Sequence, residues 1–182
     1  MSVGPSDGPI TPEQLRQTMA EFLTGVTVVT TPGEQVPHAM TANAVTSVSL
    51  TPPLVLVCVA QRASFHTAVL ASGVWAVSML SEDQSDVARH FATSGRDLMT
   101  QFDGLPIELG AHTGAPVLSE ANAWLECRTV QLHEAGDHTI VVGEVLATGV
   151  KSASGGPLAY HRGRYTASED SEQASGGRPQ LR

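Results

Sequence analysis

The sequence predicts a mainly β fold: an antiparallel barrel with peripheral helices. Three observations lead there. Six or seven runs are β-branched or continuously apolar, and Gly, Pro or Asp turn signals bound them. Two long runs near the C-terminus are separated only by the hairpin turn Ala135-Gly136-Asp137, which implies antiparallel pairing. The helical stretches are short and do not alternate strictly with the strands, so a doubly wound parallel sheet is not expected.

In chain order, residues 1–10 are rich in Gly, Pro and Ser and read as a loose N-terminus. Thr11-Pro12-Glu13-Gln14 reads as an N-cap, a proline at the first helical position and a capping-box glutamine. Leu15, Met19, Phe22 and Leu23 then form one apolar helical face, closed by Gly25. Val26 to Thr31 is β-branched up to Pro32-Gly33. Met40 to Leu50 is a run rich in Thr, Val and Ser that ends near Pro52-Pro53. Leu54 to Ala60 is continuously apolar, the pattern of a strand buried on both faces. Ser64 is placed to cap a short helix that Gly73 ends, and Val74 to Leu80 is a strand. Ser81 to Gln84 reads as a second capping box, opening a helix with Val87, Ala88 and Phe91 inward. Gly95 to Gly114 is mixed, with Leu98, Met99 and Phe102 on a possible short helix. Ala121 to His133 is a long strand with Glu126 and Arg128 on one face and Leu125 and Cys127 on the other. Thr139 to Val150 is its partner, and Pro157 to Tyr160 is a last short strand. Residues 168–182 have the composition of a disordered tail.

The chain has 182 residues, 41% of them hydrophobic, which suits one domain with a real core. Its net charge is −8, and its ten basic residues are nine arginines and Lys151. This balance opposes a nucleic-acid surface, which needs clustered cations. No phosphate loop of the G-x-x-x-x-G-K type is present, and no apolar run reaches the length of a membrane span. Cys58 and Cys127 lie in apolar runs as expected for reduced buried thiols, so a soluble cytoplasmic protein is expected. The seven histidines lack metal-site spacing, no G-x-S-x-G elbow occurs, and no G-x-G-x-x-G follows a strand. No metal is expected.

Four features remain. Thr41, Thr46, Ser47 and Ser49 surround Asn43, an unusual density of donors beside a buried strand. Gln61-Arg62-Ala63-Ser64 begins a helix, where free N–H groups, a hydroxyl and a guanidinium suit a phosphate. Gly136-Asp137-His138 occupies the hairpin turn. Tyr160-His161-Arg162-Gly163-Arg164-Tyr165 sets two arginines between both tyrosines. Each has an ordinary structural reading: strand composition, a plain N-cap, an exposed turn or a solvated edge.

Together these segments resemble the short-chain flavin reductases, whose fold is the FMN-binding split barrel. The resemblance rests on Phe22 to Thr31, Met40 to Leu50, Pro52 to Val59, Trp124 to Cys127, Gly136 to Val145 and Tyr160 to Tyr165. It implies one split-barrel domain over residues 11–167. It also implies that Thr41, Ala42, Asn43, Ala44, Ser47 and Val48 hold the flavin ring and ribityl chain. The phosphate falls to Cys58, Val59, Ala60, Arg62 and Ser64, with Arg162 and Arg164 as further cationic contacts. His138 is implied beside the nicotinamide as an orienting group. Many relatives carry Ser where this chain has Ala44, which removes one side-chain contact. The implied activity is reduction of FMN or FAD by NADH or NADPH, in a homodimer that supplies reduced flavin to a separate monooxygenase. Hydride passes from nicotinamide to flavin, so no nucleophile is required. A tight FMN protein acting directly on an organic substrate and a flavin-binding protein without turnover are the alternatives.

Overall fold

Helix α1 (Pro12–Met19) of the computed structural model, which describes residues 8–151 and 155–167, opens on the expected capping box. Thr11 Oγ1 accepts from the Gln14 N–H at 3.2 Å, and the Thr11 N–H donates to Gln14 Oε1 at 2.9 Å. The helix stops at Met19, well before Gly25: the Ala20 N–H closes the last turn on Arg16, and the chain then turns. Gly25 belongs instead to β1 (Thr24–Gly25), opposite Ala159. The apolar face exists but covers nothing. Helix α1 buries no residue, and Leu15, Met19, Phe22 and Leu23 are all more than half exposed.

Strand β2 (Thr27–Thr31) is buried throughout. The run from Met40 to Leu50 is two strands, not one: β3 (His38–Ala42) and β4 (Val45–Leu50), broken at Asn43-Ala44. Next come β5 (Pro53–Ala60), α2 (Ser64–Ser72), β6 (Val74–Met79) and α3 (Ser85–Ala92). The segment from Gly95 forms turns rather than a helix and leads to β7 (Ile107–Leu109) and β8 (Pro116–Leu118). The long hairpin is β9 (Ala123–Ala135) and β10 (His138–Val150). The Tyr160 to Tyr165 segment is not a single edge but a second hairpin, β11 (Leu158–His161) and β12 (Arg164–Ala167). The tail from 168 lies outside the described residues.

The main sheet has the order β3-β2-β6-β9-β10-β5-β4, and its strand pairs are antiparallel. Its two edges, β3 and β4, follow each other in sequence with only Asn43 and Ala44 between them. Seven flat strands would set those edges roughly 29 Å apart at about 4.8 Å per step. Three Cα–Cα steps from Ala42 to Val45 span at most about 11 Å. The sheet therefore curls into a barrel whose two edges meet, unpaired, at the Asn43-Ala44 seam.

The interior is filled by Val29, Val57, Val59, Trp75, Val77 and Val141, with Phe65 and Val69 of α2 packed into the same cluster. Gly143 is required there, because a Cβ at this position would lie 2.5 Å from Trp75 Cζ2. A second cluster joins Ala88 and Phe91 of α3 to Val28, Ala39 and Leu158. Strand β5 is not buried on both faces. Val55, Val57 and Val59 point into the core, while Leu56 and Cys58 are half-buried on the other side, because a barrel strand has one inner face. Glu126 departs from its expected exposed face and is only 2% exposed. Its Oε2 accepts from the N–H groups of His112 and Thr113 and from Thr113 Oγ1, at 2.8–2.9 Å, clamping the turn before β8. Burial pushes this carboxyl upward, but the hydrogen bonds outweigh it and hold the group below its usual range.

Two predicted caps act differently. The N-cap of α2 is Ala63, with no side-chain cap, and Ser64 is the first helical residue. Ser81 to Gln84 closes a turn, the Ser81 N–H donating to Gln84 Oε1 at 3.0 Å, and α3 starts after it without a side-chain cap.

Candidate functional site

The seam positions the first group of candidate residues. Ala42 is buried in the core, so only its backbone faces outward; its carbonyl accepts from Thr27 Oγ1 at 2.7 Å. Asn43 Nδ2 donates to Thr24 Oγ1 at 3.2 Å, and the Ala44 carbonyl accepts from the Cys58 N–H at 3.0 Å. These bonds fix the crossing between the two sheet edges. A bulge in β4 falls at Val48, between Ser47 and Ser49, and leaves Val48 exposed. A cavity of about 840 Å³ opens at the seam, walled by Asn43, Ala44, Ser47, Leu56, Cys58 and Leu125. Phe22 and Leu23, just after α1, also line it. The Ser47 hydroxyl has no hydrogen-bond partner among the described residues. Cys58 is therefore a wall residue, not a buried core thiol; Cys127 is the buried one, its thiol pushed up to about 12 by burial.

A second cavity, of about 530 Å³, is reached past Thr41. Arg62, Ala63 and Ser64 line it from the start of α2, and Thr93, Ser94 and Arg96 line it from the loop after α3. The Thr41 hydroxyl is engaged, donating to the Ala88 carbonyl at 2.7 Å. The Ser64 hydroxyl has no partner among the described residues, and the first N–H groups of α2 have no side-chain cap. Val59 points into the core and can contribute only through its backbone. A smaller cavity of about 190 Å³, walled in part by Tyr160 and Tyr165, shares Thr41 with the second cavity and Asn43 with the first, so it lies between them.

The hairpin turn reaches the arginine end. His138 lies opposite Ala60 in the β10–β5 register, and the Gln61 N–H donates to the Asp137 carbonyl at 3.0 Å. His138 Nδ1 is 2.7 Å from Asp137 Oδ1. The His138 hydrogen bond and the nearby Arg62 charge hold Asp137 below its ordinary range. An ionised carboxylate only accepts, so Nδ1 carries the proton and Nε2 is left open. The β11–β12 turn is elsewhere. Arg162 forms a bidentate pair with Glu21 at 2.6–3.0 Å, and its N–H donates to the Ala20 carbonyl, so its guanidinium latches the α1 segment. Arg164 lines a separate surface cleft with His161 and Tyr165.

The structure thus brings Thr41, Arg62 and Ser64 to one cavity, and Asn43, Ala44, Ser47 and Cys58 to the other. It places Ala60 and His138 beside the first, and it holds Arg162 and Arg164 on another turn. Sequence reasoning missed Arg96, Phe22 and Leu23. A lone arginine in an irregular loop carries no local signal, and Phe22 and Leu23 read as part of a helix's apolar face. Among the described residues no group of three or more His, Cys, Asp or Glu is placed to hold a metal. No helix there is long and apolar enough to cross a membrane.

A family model described as flavin reductase like domain matches residues 19–169. An NADH-dependent FAD reductase of Streptomyces globisporus is 46% identical over 153 residues, covering 84% of this chain and 83% of the relative. The crystal structure of BorF, the flavin reductase component of a bacterial two-component tryptophan halogenase, superposes with a TM-score of 0.81 at 44% identity. That match covers 86% of this chain and 98% of BorF. An NADH:FAD oxidoreductase of Streptomyces globisporus, in complex with NAD and FAD fragments, gives 0.82 at 41% identity, covering 91% and 99%. With the seam of a split barrel and its two neighbouring cavities, these similarities show that the chain belongs to the flavin reductase-like family.

Proposed function

We propose that this chain reduces FMN or FAD with NADH and releases the reduced flavin to a partner monooxygenase, working as a cytoplasmic homodimer. The observation that carries this reading is the pairing of an apolar, hydroxyl-edged cavity at the seam with a neighbouring arginine-lined cavity. The donor set fits a flavin nucleotide. A planar ring with polar edges needs apolar walls and a few donors, which Leu56, Leu125, Ser47 and Asn43 offer. A phosphate needs free N–H groups and a cation, which the start of α2, Ser64 and Arg62 offer.

When bound, the flavin supplies the hydride acceptor, and the protein's task is binding and orientation. Backbone groups at Ala42, Asn43 and Ala44 hold the ring edge at the seam, and Val48 packs at its rim. Cys58 and Ala60, at the end of β5, line the path toward Arg62 and Ser64. His138, held by Asp137, keeps Nε2 open toward an incoming nicotinamide and orients it without acting as an essential base. Arg164 offers a second cation for the pyrophosphate of NADH. Arg162 serves by latching the Phe22-Leu23 wall through Glu21.

The homodimer reading is supported by the exposed apolar side chains of Leu15, Met19, Phe22 and Leu23 and by the unpaired β4 edge, surfaces that a monomer rarely leaves in water. The cytoplasmic reading is supported by two unpaired cysteines.

The test is to purify the protein, record its colour, and follow NADH and NADPH oxidation with and without added FMN, FAD or riboflavin. A nearly colourless protein that oxidises NADH only when flavin is added is expected. No flavin-dependent oxidation would overturn the reading, and a bright yellow protein with little response to added flavin would favour a tightly held group.

A further inference from the structure

We infer that the barrel carries a second ligand site, between the β7–β8 turn and the β9–β10 hairpin, for an organic cation: an ammonium group on a small apolar body. The inference does not rest on the flavin reading. Strand alternation sets the site apart from the seam. Leu125 packs against the barrel interior and walls the seam cavity, and its neighbours Trp124 and Glu126 point the opposite way. They line a cavity of about 410 Å³ that shares no wall residue with the three cavities around the seam.

Three parts of this cavity suit such a ligand. The first is a carboxylate that is only half used. Glu126 Oε2 takes all three of the group's hydrogen bonds, from the His112 and Thr113 N–H groups and the Thr113 hydroxyl. Oε1 has no partner among the described residues, and it is not sealed in. In a side chain only 2% exposed, the cavity is where a donor reaches that oxygen. The carboxyl is held below its usual range, so it is ionised at neutral pH. The His112 imidazole is near enough to attract it but makes no hydrogen bond to it. The second part is an aromatic wall. Trp124 is half-buried, and Gly149 lets its indole rest on β10: a Cβ there would lie 2.5 Å from Nε1 and 2.6 Å from Cε2. An indole beside a carboxylate adds cation–π attraction to charge pairing. The third part is an apolar rim of Leu109, 69% exposed, and Val150, 83% exposed, against which a ligand's body gains burial. The wall's charges lean toward acid. Glu108 adds a second carboxylate, and Lys151 is the wall's only cation. Among the described residues Lys151 pairs with neither carboxylate, so the chain's own ammonium leaves the acid side unsatisfied.

The experiment titrates the full chain at neutral pH with 2-phenylethylammonium, 2-phenylethanol and 3-phenylpropanoate, read by tryptophan fluorescence. Trp75 is sealed in the core, so Trp124 is the reporter, and Trp124→Phe should abolish the signal. The cation is expected to bind about tenfold more tightly than the alcohol or the carboxylate. Glu126→Gln should weaken it about tenfold, and Glu108→Gln about threefold. Glu108 is exposed, so its variant keeps the test valid if Glu126→Gln fails to fold. Lys151→Gln should tighten the cation about threefold, a gain that a merely structural role for these residues would not produce. The affinity should be the same with saturating FAD present. No binding, or equal affinity for the three probes, would overturn the site. Displacement of the cation by FAD would overturn it too, by assigning the probe to the seam. A wild-type protein that binds the cation in this way but no flavin would overturn the functional reading and uphold this site.

Discussion

The two cavities at the seam select ligands by different forces. The larger is made of strand faces left over when the barrel closes: Leu56, Cys58, Ala44 and Leu125 around a few donors. Its attraction is apolar burial, nearly independent of salt. The smaller is built from a helix start and a loop, with two arginines and no acid, and its attraction is electrostatic and screened by salt. A ligand that fills both must be flat and apolar at one end and anionic at the other. Neither cavity alone suggests a flavin nucleotide; the proposal rests on their lying side by side, with Thr41 on one wall and Asn43 on the other.

Breaking the apolar half has the largest expected effect. Ala44 is exposed at the seam, so Ala44→Trp fills the cavity without disturbing the core. It should cost FAD, FMN and riboflavin alike on the order of a hundredfold in affinity, the equivalent of roughly 100 Å² of lost apolar burial. Fluorescence titration checks it, and a loss confined to phosphorylated flavins would assign the ring elsewhere. Breaking the charged half is smaller and selective. Arg62→Ala should weaken FMN and FAD about tenfold and leave riboflavin unchanged in the same titration.

A change outside both cavities separates binding from stability. Glu126→Gln should leave all three affinities unchanged and lower stability by about 1–3 kcal/mol at neutral pH, measured by urea unfolding. The sign with pH follows from its lowered pKa. The wild-type advantage is fully present above the ordinary value of 4.5 and is lost as pH falls through the lower folded value, so the two proteins should converge in acid.

Much of the barrel was legible because strands and turns are local. The β9–β10 hairpin follows from Gly136-Asp137, with Gly136 at φ 64, and β6 follows from its apolar run. The break at Asn43-Ala44 was not legible. Both halves of that run have strand composition, and only sheet order reveals that they sit on opposite edges. The cap of helix α1 is legible in the sequence, whereas its end at Met19 and the exposure of its apolar face are not. A pattern of Leu15, Met19 and Phe22 shows amphipathicity but not whether the chain itself supplies the cover. Glu126 shows the same limit, since strand alternation placed it outward while a distant turn buried it. The candidate residues on strands and caps come from the resemblance, whereas Arg96 lines its cavity from a loop that it ties to Ala39 and Phe91.

The most direct test of the two-cavity account is the salt dependence of flavin affinity for the wild-type protein. Dissociation constants for riboflavin, FMN and FAD, measured across a range of ionic strength, should give a flat line for riboflavin and a slope for both FMN and FAD. Three parallel lines would show that the arginine cavity does not hold the phosphates and would contradict the account.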